Sequence, residues 1–247
     1  MTDQLLQHRE GGITRLTLNR PDRGNALGPD LTEALLEAFH LAAADGTRLL
    51  TLQGGGKHFC SGFDLTGFEE LSDGDLTLRL IRIELLLQAI YHAPFPTMVY
   101  AHGNVFGAGA DMVAACHTRM AHPETTFRMP GLGFGILLGT RRLAARIGQE
   151  KARAIQNETR QFDAAEAGAM GFVQRLATPG EWPALVEAEA TAAATLAPEA
   201  TAALFRATVT DTRDTDLADL VRTASPPGLR ARIRAYREQV RKAAGKG

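Results

Sequence analysis

The chain has 247 residues, 45% of them hydrophobic and 22% charged, enough to bury one sizeable α/β core with a helical appendage. Its 27 Lys and Arg balance 28 Asp and Glu for a net charge of -1, which removes the basic field that binding to nucleic acid or an anionic membrane would need. Apolar runs break at a charge or glycine within about a dozen residues, short of the roughly 20 that a membrane span takes. Two cysteines, Cys60 and Cys116, and a polar start from Met1 to Glu10 without an apolar signal core make the cytoplasm the expected location.

Ile13 to Leu18 reads as a strand that stops at Asn19-Arg20-Pro21, where the proline and Asp22-Arg23-Gly24 force a turn. Gly28-Pro29 opens a helix: proline suits the first helical position, and Leu31, Leu35, Ala38 and Phe39 recur at helical spacing as far as Ala44. Leu49 to Leu52 is an apolar run of strand length, followed by the loop Gly54-Gly55-Gly56. Leu76 to Tyr91 has an apolar residue at every third or fourth position, a helix closed by Ala93-Pro94-Phe95-Pro96, and Thr97 to Ala101 returns to strand. From there to Val173, glycine-rich turns at 103–109 and 131–139 alternate with short helices and strands, the pattern of an α/β layer fold. From Pro183 to Lys246 there is no strand pattern, only helices broken at Pro198 and Pro226-Pro227. The division is an α/β core over 1–182 and a helical region over 183–247.

Two glycine-containing turns each follow an apolar strand. One is Lys57 to Leu65, the other His102 to Asp111. Open α/β sheets place ligands at the carboxyl ends of strands, and small residues there let a substrate reach free backbone N–H groups. Two such turns facing each other would stabilise an oxyanion; taken singly, each is an ordinary tight turn. Other glycine motifs fail. A P-loop would need glycine at Thr51 and a hydroxyl residue at His58, a dinucleotide fingerprint would need glycine at Met112, and a nucleophile elbow around Ser61 would need glycine at Phe59. The histidines show no metal-ligand spacing, so no metal site is expected.

The pieces occur together and in order. Leu18-Asn19-Arg20-Pro21 with Asn25-Ala26-Leu27, then Phe59 to Leu65, then Ala101 to Cys116, and finally Phe162 to Ala167 with Gly171-Phe172-Val173 resemble the crotonase (enoyl-CoA hydratase/isomerase) family over most of residues 12–178. The resemblance implies a crotonase-like α/β fold, a ββα superhelix with a C-terminal helical region, acting on an acyl-CoA thioester with no separate cofactor. It assigns the oxyanion amides to Phe63 and Ala108 and proton transfer to Asp111. Coenzyme A would lie along Asn25, Ala26 and Leu27, along Asp64, Leu65 and Thr66, and at Gly107. The chain departs from the hydratase pattern at Gly131, where a second carboxylate follows the proline of the segment matching Phe127 to Pro130.

With Ala110, Met112, Val113 and Ala114 around it, Asp111 sits in apolar surroundings that raise a carboxyl pKa and suit it to proton transfer. Aspartate is also a preferred helix-capping residue, so a structural role is the competing reading. One carboxylate can shuttle a proton, whereas hydration also needs a group that activates water. Double-bond isomerisation therefore fits a lone Asp111 more easily than hydration. Hydrolysis, carbon–carbon cleavage or decarboxylation on the same oxyanion hole, and an acyl-CoA-binding scaffold without catalysis, stay open. His92 and His102 flank the expected site, and Cys60 reads as a small buried residue. The stripe Leu229, Ile233, Tyr236 and Val240, set among arginines, reads as a face that a monomer would leave uncovered. With the resemblance, it implies a homotrimer or hexamer, with one or two of those arginines meeting CoA phosphates.

Overall fold

The computed structural model describes residues 3–244. In chain order the elements are β1 (Leu5–Glu10), β2 (Ile13–Leu18), α1 (Pro29–Ala42), β3 (Leu49–Gly54), α2 (Asp73–Tyr91), β4 (Thr97–Ala101), β5 (Asn104–Phe106), α3 (Ala108–Ala115), β6 (Thr118–Ala121), β7 (Thr126–Arg128), α4 (Thr140–Ile147), α5 (Gln149–Glu158), β8 (Gln161–Asp163), α6 (Ala164–Met170) and β9 (Arg175–Leu176). Four helices follow: α7 (Trp182–Ala193), α8 (Pro198–Thr208), α9 (Arg213–Ala224) and α10 (Leu229–Ala244). None of the described helices is long and apolar enough to cross a membrane.

The main sheet runs β1-β2-β3-β4-β6-β9, so the three expected strands are direct neighbours, all parallel, with Ile13 opposite Leu49 and Leu50 opposite Thr97. Both faces are covered, which is why β3 and β4 read as unbroken apolar runs rather than alternating ones. Successive side chains point to opposite faces. Leu16, Leu18, Leu50, Leu52 and Val99 join the central core with α1, α2 and α3, while Ile13, Leu49, Met98, Tyr100 and Met120 pack under Trp182, Leu185 and Val186 of α7. Helix α1 starts on Gly28 with Pro29 at its first turn and buries Leu31, Leu35, Ala38 and Phe39. Helix α2 begins three residues before its periodic stretch, because Ser72 and Asp75 form a reciprocal cap.

Strand β1 has no counterpart in the sequence reading. Only Leu5 of its six residues is buried, so it lacks an apolar pattern. It pairs antiparallel to β2 through the two-residue loop Gly11-Gly12, both glycines at positive φ, a hairpin signal visible in the sequence.

A second sheet, β5-β7-β8, is extended by isolated bridges between Cys60 and Val105 and between Leu27 and Phe63. Phe127, Phe162 and Phe172 stack behind it with ring centroids 5.1–5.5 Å apart. This layer carries the chemistry-bearing turns.

The expectation that the 229–240 stripe needs another subunit to cover it is corrected at its first half. Leu229 and Ile233 are buried on their own chain, against Phe68, Leu76, Leu80, Ile136 and Leu220, burial worth roughly 1.5–3 kcal/mol each. Helix α10 folds back across α2 and the turn Gly131–Phe134, because Tyr236 stacks on Phe134 at 5.4 Å and Arg232 bonds the carbonyls of Phe134 and Gly135. The stripe therefore no longer argues for assembly.

Candidate active site

The site starts from three segments held side by side. Leu27 N–H bonds Gly62 O at 2.7 Å, Asp64 N–H bonds Leu27 O at 3.2 Å, Ser61 N–H bonds Gly24 O at 2.9 Å, and Phe106 N–H bonds Cys60 O at 3.1 Å. The turns at 60–64 and 106–108 thus touch. Gly62 stands at φ +92, and a Cβ there would fall 2.5 Å from Phe106 O and 3.3 Å from Ala108 N, so only glycine lets the backbones approach so closely. Among the described residues the N–H groups of Phe63 and Ala108 have no acceptor, whereas those of Asp64, Phe106 and Gly107 bond Leu27 O, Cys60 O and Arg128 O. Ala108 has no positive φ, so its methyl group is tolerated there.

Ala108 opens α3, whose eight residues are all buried. Asp111 is its fourth residue and its N–H bonds Gly107 O at 3.0 Å; the cap position belongs to Gly107, which removes the capping explanation. The Asp111 side chain is 4% exposed, and its Oδ1 is buried with no hydrogen-bond partner. The carboxyl packs directly on Gly139, at the start of α4, where any Cβ would overlap it. Burial drives its pKa well above the ordinary carboxylate range; Arg142 opposes the rise and Glu84 adds to it.

Behind Asp111 the other buried charges are paired. Arg142, 2% exposed, ion-pairs Glu84 through Nη2 and reaches Asp216 through Nη1 at 3.3 Å. Glu84 also accepts from Gln88 at 3.0 Å, and Asp216 binds Arg141 at 2.7 Å. Burial still holds the Glu84 pKa above its usual value, against the pull of Arg142.

Phe63, Leu65, Gly107, Ala108 and Asp111 line one cavity of about 130 Å³. Its other walls are mostly apolar, from Leu80, Met129, Leu138 and Ile233 among others, with Ser61, Gln156 and Tyr236 as further polar side chains. Five expected residues lie outside it. Asn25, fully buried at φ +54, is a clip whose amide donates to Gly55 O and His58 O and whose Oδ1 accepts from Arg20 N–H. Ala26 and Leu27 are buried in the same turn, and Thr66 is exposed. Asp64 is bound by Arg20 at 2.9 Å and by Thr66 N–H at 2.9 Å, contacts that outweigh burial and hold its pKa below the usual range.

Other expectations land elsewhere. His92 and His102 do not line the cavity; His102 Nε2 bonds Gly56 O and His92 faces Asp211. Cys60 is fully buried and its thiol is pushed up to about 12, in keeping with a packing role. Arg230 and Arg234 bind the Glu69 segment, and Arg237 lies over the Phe68 ring at 5.1 Å. Gln156 escaped the sequence reading, although it follows Ala152 by four residues on the buried face of α5, a spacing that could have found it.

A family model for enoyl-CoA hydratase/isomerase matches residues 8–224. A Mycobacterium tuberculosis protein named a probable enoyl-CoA hydratase is 32% identical over 191 residues, 75% of this chain and 74% of that protein. A solved structure from Bordetella parapertussis, assigned to enoyl-CoA hydratase/isomerase, is 45% identical with a TM-score of 0.93, covering 94% of this chain and 98% of that one. An enoyl-CoA hydratase structure from Mycobacterium smegmatis is 28% identical with a TM-score of 0.76, covering 96% and 97%. Together with the paired turns and the order of the elements, these likenesses show that the chain belongs to the crotonase family of enoyl-CoA hydratases and isomerases.

Proposed function

We propose that the protein moves a proton on an acyl-CoA thioester, with isomerisation of an enoyl-CoA as its reaction. The reading rests on one observation: two backbone N–H groups without acceptors and one carboxyl without a partner border the same apolar cavity. The thioester oxygen would accept from the N–H groups of Phe63 and Ala108, which stabilise the enolate more strongly than the ground-state carbonyl. Asp111 would take a proton from one carbon of the acyl chain and return it to another. Coenzyme A enters as part of the substrate, along Asn25 to Leu27, Asp64 to Thr66 and Gly107, with no separate cofactor.

Gly131 favours isomerisation over hydration. A Cβ there would lie 2.9 Å from Ile136 O, and Ile136 N–H closes the turn on Gly131 O at 2.9 Å, so a side chain at this point needs the backbone to shift. The missing second acid also supports an alternative, hydrolysis or decarboxylation on the same two amides. Incubation with a panel of enoyl-, β-oxo- and carboxyacyl-CoAs, read by mass spectrometry, separates them. Isomerisation leaves mass unchanged but shifts chromatographic retention and the absorbance of the conjugated thioester, hydration adds water, hydrolysis frees CoA and decarboxylation loses carbon dioxide. Binding without any of these products would leave an acyl-CoA-binding scaffold. We further propose that the 183–247 helices cover the site, that the chain works in the cytoplasm, and that it assembles as a trimer or hexamer; light scattering showing a stable monomer would overturn the last.

A further inference from the structure

Gln156 is 6% exposed and lines the same cavity as Asp111, and its carboxamide is open to that cavity, since neither of its polar atoms is among the enclosed unpaired ones. Its neighbours on α5, Ala152 and Ile155, are buried in the central core. A carboxamide brings two N–H donors and an acceptor oxygen into that surface. Leucine or methionine of similar size would line that wall without them. Tyr236 reaches the same cavity from α10, where a Cβ at Gly133 would fall 2.8 Å from its ring. The remaining lining is dominated by hydrocarbon, so these two groups, with Ser61, are what a bound acyl chain could meet beyond Asp111 and the amides.

We infer that Gln156 is a specificity-determining residue, whose carboxamide hydrogen-bonds an oxygen carried by the acyl group beyond its β-carbon. The preferred substrates are then acyl-CoAs with a hydroxyl or carbonyl on the chain, not plain hydrocarbon acyl-CoAs. This rests on the acyl-CoA reading above. A site built to bond such an oxygen discriminates against the analogue that lacks it, because the amide is then left unpaired.

The test measures binding, and so does not depend on turnover. Saturated acyl-CoAs of graded chain length and their ω-hydroxy and ω-oxo counterparts are titrated into the full-length protein by calorimetry. The unaltered protein should bind the best-placed oxygenated ester about three- to tenfold more tightly than its plain counterpart. Gln156→Leu and the more flexible Gln156→Met should bring that ratio close to one while leaving the plain ester's affinity unchanged or improved. Equal affinities for both ester types in the unaltered protein overturn the inference without needing either variant. Equal weakening of both types in the variants overturns it too, and makes Gln156 a structural or water-holding residue. If neither the plain nor the oxygenated esters bind, the acyl-CoA reading falls and takes this inference with it.

Discussion

Asp111 and Glu84 are both deeply buried acids, 4% and 1% exposed, yet one faces the cavity without a partner and the other sits inside a bonded cluster. Glu84 and Asp216 hold the two ends of the Arg142 guanidinium and so tie α2, α4 and α9 together. Glu84 thus has partners within the fold, although burial still outweighs the pull of Arg142 on its carboxyl. Asp111 is dominated by burial, with Arg142 lowering its proton affinity and Glu84 adding to it. A buried acid that is paired fixes structure, and one left unpaired keeps its proton affinity for chemistry.

The sharpest break of this contrast is Asp111→Asn. If Asp111 transfers the proton, turnover on an identified substrate should fall by roughly two to four orders of magnitude while thioester binding persists. Stability should move the other way at high pH. Because burial raises the folded-state pKa, the contribution of Asp111 is fully present below about 3.9 and is lost as pH rises through its raised value. Glu84 carries the same sign. Thermal melts across pH should therefore show the variant gaining on the parent in alkaline buffer and losing that advantage in acid. A variant with near-normal turnover would return the search for the proton carrier to the other cavity residues.

Arg142→Met tests the opposite half. Removing one member of a buried ion pair leaves Glu84 and Asp216 uncompensated and should cost about 3–5 kcal/mol in denaturant titration. Joint replacement of Glu84 and Arg142 by apolar residues of similar volume should recover much of that loss. Gly62→Ala follows in size: an added Cβ 2.5 Å from Phe106 O forces the two amide-bearing turns apart, and turnover should drop about ten- to a hundredfold with the fold retained. The smallest effect belongs to Arg234→Ala. Its pair with Glu69 is solvent-exposed, so the melting midpoint should not move measurably.

The parts of this arrangement that could be read from sequence are those where burial leaves a continuous pattern. Strands β3 and β4 were legible as short apolar stretches, β2 as a strand bounded by the Asn19-Arg20-Pro21 turn, and α1 and α2 by helical spacing, since these elements bury wide faces. The short strands β5, β7 and β8 were not, because three residues carry no periodicity. Asp111 stood out as a charge among small apolar residues. Gln156 did not, because one amide on an apolar face looks like any helix-surface glutamine until its neighbours are placed. The family pattern pointed to Asn25 by position, and coordinates were needed to find its side chain spent on two carbonyls.

The two borders of the main sheet bear on how copies of the chain can meet. Strand β9 is two residues long, too short to template a neighbouring chain, and the outer strand β1 ends in His8, Arg9 and Glu10, all exposed, with Leu6 as its one large exposed apolar side chain. Charged and abbreviated borders of this kind discourage strand-to-strand growth. Neither border of the main sheet therefore favours its continuation into a second copy of the chain.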